Sequence, residues 1–510
     1  KMFYHDKIMV ELFIKRRLAM KLWTNGYFHT LKDEHDVHVQ MATDNGYIVG
    51  FDDEIKDLSF DEIIDLKGHH IYPGFVDSHL HIVGYGQKLN LVDVGDYHDQ
   101  EKLLFLIKEK VIKDITFFEG YLNVGIHKNQ LNQITNNKPI ILRHKDYHSI
   151  TVNDYVLKEL NLKSETGYLT EDEAKLVLKH YQKVSDQDVN HMIETAIKSL
   201  YQFGITGGHS DDLFYFNGYQ KTLDAFLDVL KKYPFRAHLL MHYKIIDDYK
   251  QSKHPFLDQN PYLQLGAVKI FYDGTLSSKT ALLYHNYKND KQQGIRMFEE
   301  KELETLIKKM RSYDLPLAIH IIGDQGLEEV VDLLKKYPPK SGLHDRIIHA
   351  SLANQKTILK MVGMPIIIDI QPQFITSDLP QVLDLFSERP EYIYPFKTFL
   401  NNEIIICGSS DAPVEVPNPF LGMHAAIFRR LNDDSLFNRE EALTPYEALK
   451  LYTTYANIPT YKAHERGLLK KGYIADFTIL SKDILIFDEE DYLKNFVEMT
   501  VVDEKIVYKK

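Results

Sequence analysis

Two histidines one residue apart, His79 and His81, close the apolar run Pro73-Gly74-Phe75-Val76-Asp77-Ser78. In an extended chain residues i and i+2 share a face, so both imidazoles can reach one cation, and neutral imidazole is a good ligand for zinc and similar metals. Two more apolar runs end in histidine, Leu315 to His320 and Arg346 to His349. Another, Ile404 to Gly408, is followed by Ser409, Ser410 and Asp411, and a carboxylate there can ligate a metal and take a proton from activated water. Each residue alone has an ordinary reading, as a hydrogen-bonded core histidine or a helix-capping aspartate. Their recurrence at the ends of apolar runs favours one shared site.

Lys269 sits inside the apolar run Ala267 to Phe271. A buried ammonium is costly unless it is paired or loses its charge. Two outcomes stand side by side: pairing with a nearby carboxylate such as Asp273, or carboxylation by CO2, which makes an anionic oxygen ligand able to bridge two metals.

These residues need strands to carry them. Candidate strands centre near Phe75, Ile140, Thr206, Ala237, Val268, Ala318, Ile347, Ile367 and Ile405, alternating with amphipathic helical stretches as in repeated βα units. From Thr206 onward they fall 20 to 50 residues apart, whereas the gap from Phe75 to Thr206 is far larger. The strand near Ile140 therefore belongs to an insertion, and the other eight form an α/β fold, a TIM-like (β/α)8 barrel. An insertion after the first strand is expected over the barrel mouth, where such enzymes work. Val37 to Ala42, Asp44-Asn45-Gly46 and Tyr47 to Phe51 read as a hairpin, and Ala475 to Leu480 with Phe496 to Val507 as further strands, so the two ends are expected to form one small composite β domain. The expected boundaries are 20–70 and 466–510 for that domain, 71–465 for the barrel and about 84–195 for the insertion. Residues 1–19 are read as an extension.

The 510 residues, 44% hydrophobic and 26% charged, suffice for a barrel and a second domain. A formal charge of -12 without a basic stripe argues against nucleic acid as a partner. Cys407 is the one cysteine, which excludes a disulfide framework or a cysteine-rich metal site and suits a reducing compartment, so a cytoplasmic protein is expected. No apolar run approaches the roughly 20 residues that span a bilayer, so no membrane partner is expected, and Glu11, Lys15, Arg16 and Arg17 interrupt the first segment.

The ligand types, in this order, resemble the amidohydrolase superfamily. The segments VKIFYDGTLSSKTA, AIHIIGD, RIIHA, QPQF, GSSDAPVEVPNPF and KGYIADFTIL are similar to amidohydrolase family 3, the branch that includes N-substituted formamide deformylase, over about Met20 to Lys510. The chain departs from that pattern at Ile348, where an acidic residue is common, and at Gln373 and Phe374, where a histidine often follows the QP pair. The resemblance implies that His79 and His81 hold one metal, that His320 and His349 hold a second, and that carboxylated Lys269 bridges them. Asp411 would bind the first metal and handle the proton. It implies one or two divalent ions, zinc foremost, and a small-molecule substrate whose amide-like C–N bond is cut by metal-activated hydroxide. Asp146-Tyr147-His148-Ser149 resembles the family's DGHS segment, which makes His148 a substrate-binding candidate, and His209 corresponds to a site-proximal histidine of the branch. A deaminase of aminated heterocycles on the same barrel and a catalytically silent scaffold are the alternatives, and a homo-oligomer is left open.

Overall fold

The computed structural model describes residues 20–113, 115–144, 149–181 and 184–510; the extension 1–19 and His148 lie outside the described residues. Two compact units are present. One runs up to Tyr85 and resumes at Ala196, and the other is Gly86–Thr195.

The larger unit contains the barrel. Its strands are β1 (Phe75–Leu80), β2 (Ile205–Ser210), β3 (Arg236–His242), β4 (Leu263–Phe271), β5 (Leu317–Ile321), β6 (Asp345–His349), β7 (Ile366–Ile370) and β8 (Ile405–Gly408). Each pairs in parallel with the next, from β1 through β8. These are the eight strands that the spacing singled out. Nearly every position on them is buried, because helices cover the outer face of a parallel sheet while side chains fill its inside. Glu300–Ser312 is one such helix, burying Leu303, Ile307 and Met310, the one-face spacing of an amphipathic helix.

The ring is fastened between β1 and the segment after β8. Asp411 N donates to the His79 carbonyl (2.8 Å) and His81 N to the Ala412 carbonyl (2.7 Å). The buried Asp77 carboxylate adds a side-chain strut, accepting from Ser410 Oγ (2.5 Å) and Ser410 N (3.2 Å).

The chain ends meet in a seven-stranded sheet ordered 505–509, 497–502, 477–480, 62–73, 21–29, 37–44 and 47–51. Trp23, Phe28, Met41, Ile71, Phe477 and Val501 are among its core residues. The hairpin turn has Asn45 at φ 53° and Gly46 at φ 83°, the pair of positive values that a type I′ turn requires.

Gly86–Thr195 has its own five-stranded sheet, ordered 168–170, 149–152, 141–144, 117–121 and 92–93. The candidate strand near Ile140 is found here, as Ile141–His144. Among the described residues no helix is long and apolar enough to cross a membrane.

Candidate active site

The C-terminal ends of the barrel strands bring together all six expected ligands and a seventh group, Asp211, that sequence reasoning missed. His79, on β1, is 1% exposed, and its Nε2 stands 3.4 Å from Asp411 Oδ1. His81 Nε2 is 3.5 Å from the same oxygen. Lys269, on β4 and 1% exposed, places Nζ 3.2 Å from His79 Nε2. On β5 and β6, His320 Nδ1 and His349 Nε2 are 2.9 Å apart, and the His349 ring centroid lies 6.0 Å from that of His79.

Second hydrogen bonds fix which ring nitrogens carry hydrogen. His81 Nδ1 donates to the Asp211 carbonyl (3.0 Å), His320 Nε2 to the Gly274 carbonyl (3.2 Å) and His349 Nδ1 to Gln371 Oε1 (2.6 Å). Gln371 is itself oriented, because its Nε2 donates to the Asp369 carbonyl (3.0 Å) and to Ser409 Oγ (2.9 Å). Carbonyl oxygens only accept, so in the neutral rings the bare lone pairs are His81 Nε2, His320 Nδ1 and His349 Nε2. The last two face one another, and two lone pairs cannot bond each other. Likewise His81 Nε2 faces a carboxylate. A cation satisfies both arrangements, and His79, His81 and Asp411 form a donor group compact enough to hold one ion. The donor set therefore fits a divalent metal, with the outer hydrogen bonds that such ligands usually have.

Electrostatics agree with this donor set. Burial lowers His79 and His320 well below the ordinary histidine value and His349 to about 4, which keeps these rings neutral and able to ligate. Burial also depresses His81, but its bond to Asp411 and the charges of Asp411, Asp211 and Asp212 outweigh that and raise it to about 9. Desolvation raises Asp411, but His81, His349 and Lys269 outweigh it and hold the carboxyl below the usual carboxylate value. In the metal-free chain a proton on His81 thus takes the place of a cation.

Lys269 does not pair with Asp273. The Asp273 carboxylate accepts from the backbone N–H groups of Leu282, Ile322 and Gly323 at 2.8–3.0 Å, pinned beyond the end of β4. The carboxylate nearest Lys269 Nζ is Asp211, at 3.7 Å. Burial lowers the lysine value, opposed by Asp211, Asp411 and Asp369, so the amine is easier to deprotonate than an exposed one. Asp211 directly follows the last residue of β2, Ser210, in a segment where no periodicity marks it.

His349 and Asp411 have φ of 81° and 54°, a region that costs non-glycine residues of order 1–3 kcal/mol and clusters at functional sites. His209 is fully buried. Its Nδ1 accepts from Arg346 Nη2 (3.1 Å), and Arg346 also forks onto Asp369 and reaches the Ser78 carbonyl. Those partners lie inside the barrel.

Residues 62–508 match the model of the amidohydrolase family. The chain belongs to that family. It is 32% identical to YtcJ of Bacillus subtilis (strain 168), an amidohydrolase by name, covering 96% of this chain and 99% of that protein. A metal-dependent hydrolase from Pyrococcus horikoshii OT3 superposes with a TM-score of 0.78 at 26% identity, over 92% of this chain and 99% of the other. The N-substituted formamide deformylase of Arthrobacter pascens is 21% identical, over 86% of this chain and 88% of its own length. Like other amidohydrolases, this chain is a metal-dependent hydrolase, with His79, His81 and Asp411 forming a group that can bind the metal.

Proposed function

We propose that this amidohydrolase cleaves an amide-like C–N bond of a small molecule, in an N-acyl, N-formyl or cyclic amide group. The observation that carries this reading is the set of imidazole lone pairs beside one carboxylate at the C-terminal ends of the barrel strands, those of His81, His320 and His349 oriented by outer hydrogen bonds. His79, His81 and Asp411 would hold one ion, and His320 and His349 a second. Lys269 would bridge them after its neutral amine adds to CO2, forming a carbamate and releasing one proton. A divalent ion held there, zinc foremost, supplies Lewis acidity that makes water a nucleophile near neutral pH.

The chain's own residues do the rest. Asp411 is ionised at neutral pH and presents Oδ1 to the two histidines, so its Oδ2 is free to take a proton from the attacking water and hand it to the leaving nitrogen. Without that transfer an amine anion would have to depart. Gln371, Gly274 and Asp211 hold the imidazoles in the ligating tautomer.

The test is amine release by the metal-loaded protein from a panel of N-formyl amines, N-acyl amino acids and cyclic amides, repeated after chelation. Turnover of one class that disappears with chelation and in Asp411→Asn supports the reading. Ammonia release from aminated heterocycles, with the panel untouched, refutes it.

A further inference from the structure

A second convergence of ligand-type side chains lies in the seven-stranded sheet. His29 ends strand 21–29, His70 lies in the neighbouring strand 62–73, and Asp483 follows strand 477–480, which pairs with 62–73 on its other side. We propose that His29 Nε2, His70 Nδ1 and Asp483 Oδ2 bind one divalent metal ion of the zinc class, with water as the fourth ligand, tying the N-terminal strands to the C-terminal segment.

The distances suit that geometry. His29 Nε2 and His70 Nδ1 are 3.0 Å apart, and His70 Nδ1 is 3.9 Å from Asp483 Oδ2. Ligands on a tetrahedral ion with bonds of about 2.0–2.1 Å stand about 3.3 Å from each other. The carboxylate is already aimed, because Asp483 Oδ1 accepts from Tyr72 OH (2.5 Å) and Leu485 N (2.9 Å), which turns Oδ2 toward His70. Tyr72 stacks on His29 at 4.3 Å and Tyr27 on His70 at 4.9 Å between centroids, holding both ring planes.

A hydrogen-bonded histidine pair is the competing account. It explains the 3.0 Å contact but not the approach of Asp483 Oδ2, which at 3.9 Å is too far for a hydrogen bond. It also leaves His29 Nδ1 buried without a partner, and an ion does not cure that orphan either. Burial lowers His29 to about 4 and lowers His70 as well, so both rings are neutral at pH 7 and carry lone pairs. His70 and Asp483 are 20% and 18% exposed, which gives an ion and its water an entry path.

The experiment counts zinc in the full chain after equilibration with zinc and removal of free ion, for the parent, His70→Gln and Asp483→Asn. The parent is expected to hold one molar equivalent more than either variant, and the tetrahedral Co2+ absorption of the cobalt-loaded parent to fall by one site's share. Unchanged circular dichroism of the metal-free proteins checks folding, and Asp483→Asn carries the test if His70→Gln fails to fold. Equal zinc content in all three proteins overturns the proposal and leaves a hydrogen-bonded histidine pair.

Discussion

Replacing Asp411 by asparagine removes the charge that keeps a proton on His81 in the metal-free chain. Burial alone depresses the His81 imidazolium, yet the group is raised to about 9 against an ordinary 6.5. That gap corresponds to about 3 kcal/mol, supplied chiefly by Asp411, whose Oδ1 is 3.5 Å from His81 Nε2. A metal must displace this proton to reach Nε2. Below about pH 9 the proton is bound, so apparent metal affinity in the parent should fall about tenfold per pH unit, or about 100-fold between roughly pH 9 and 7. In Asp411→Asn only the charges of Asp211 and Asp212 still oppose burial. The affinity is then lower at every pH, because a ligand oxygen is lost, but its pH slope is shallower by about one proton. Competition with a chromophoric chelator across that range measures both slopes, and an indicator dye in weak buffer measures the released proton. Identical slopes in the two proteins, or a flat parent profile, would refute the reasoning.

Gln371→Leu removes the acceptor of the His349 Nδ1 hydrogen without touching a ligand, and metal affinity should fall about 10- to 100-fold in equilibrium dialysis. Arg346→Met leaves the fully buried Asp369 without its guanidinium partner, which should cost about 3–5 kcal/mol in urea unfolding at pH 7. His238 is held neutral, lowered by burial to about 3, against about 6.5 in the unfolded chain. Between those values the unfolded chain binds a proton that the folded chain refuses. Stability should therefore fall as pH drops below about 6, and His238→Gln should make that slope shallower by about 1.4 kcal/mol per pH unit. An equal slope in both proteins would count against it.

The barrel was legible because each of its strands is an apolar run ended by polar residues, the pattern that burial on both faces imposes. The hairpin at Asn45-Gly46 was legible from turn chemistry. The outer hydrogen-bond partners were not. Gln371 falls within the QPQF segment but has no periodicity to mark it as the partner of His349, and Asp211 reads as an ordinary turn aspartate. Lys269 shows the same limit. Sequence proximity suggested Asp273, but the chain leaves β4 at Phe271 and turns Asp273 toward three backbone amides, whereas Asp211, nearly sixty residues earlier, is brought near by the pairing of β2, β3 and β4. The His29, His70 and Asp483 group is more extreme, since its members come from both ends of the chain.

The fastening between β1 and the segment after β8 gives this chain a built-in completeness check. The contacts that close the ring, Asp411 N to the His79 carbonyl and His81 N to the Ala412 carbonyl, involve the three residues that offer the metal donors, His79, His81 and Asp411. During synthesis His79 and His81 emerge some 330 residues before Asp411, so a nascent chain has no assembled donor group until its last barrel strand is docked. An ion bound there would act as a latch, holding the ring shut by a free energy that grows with the logarithm of metal concentration.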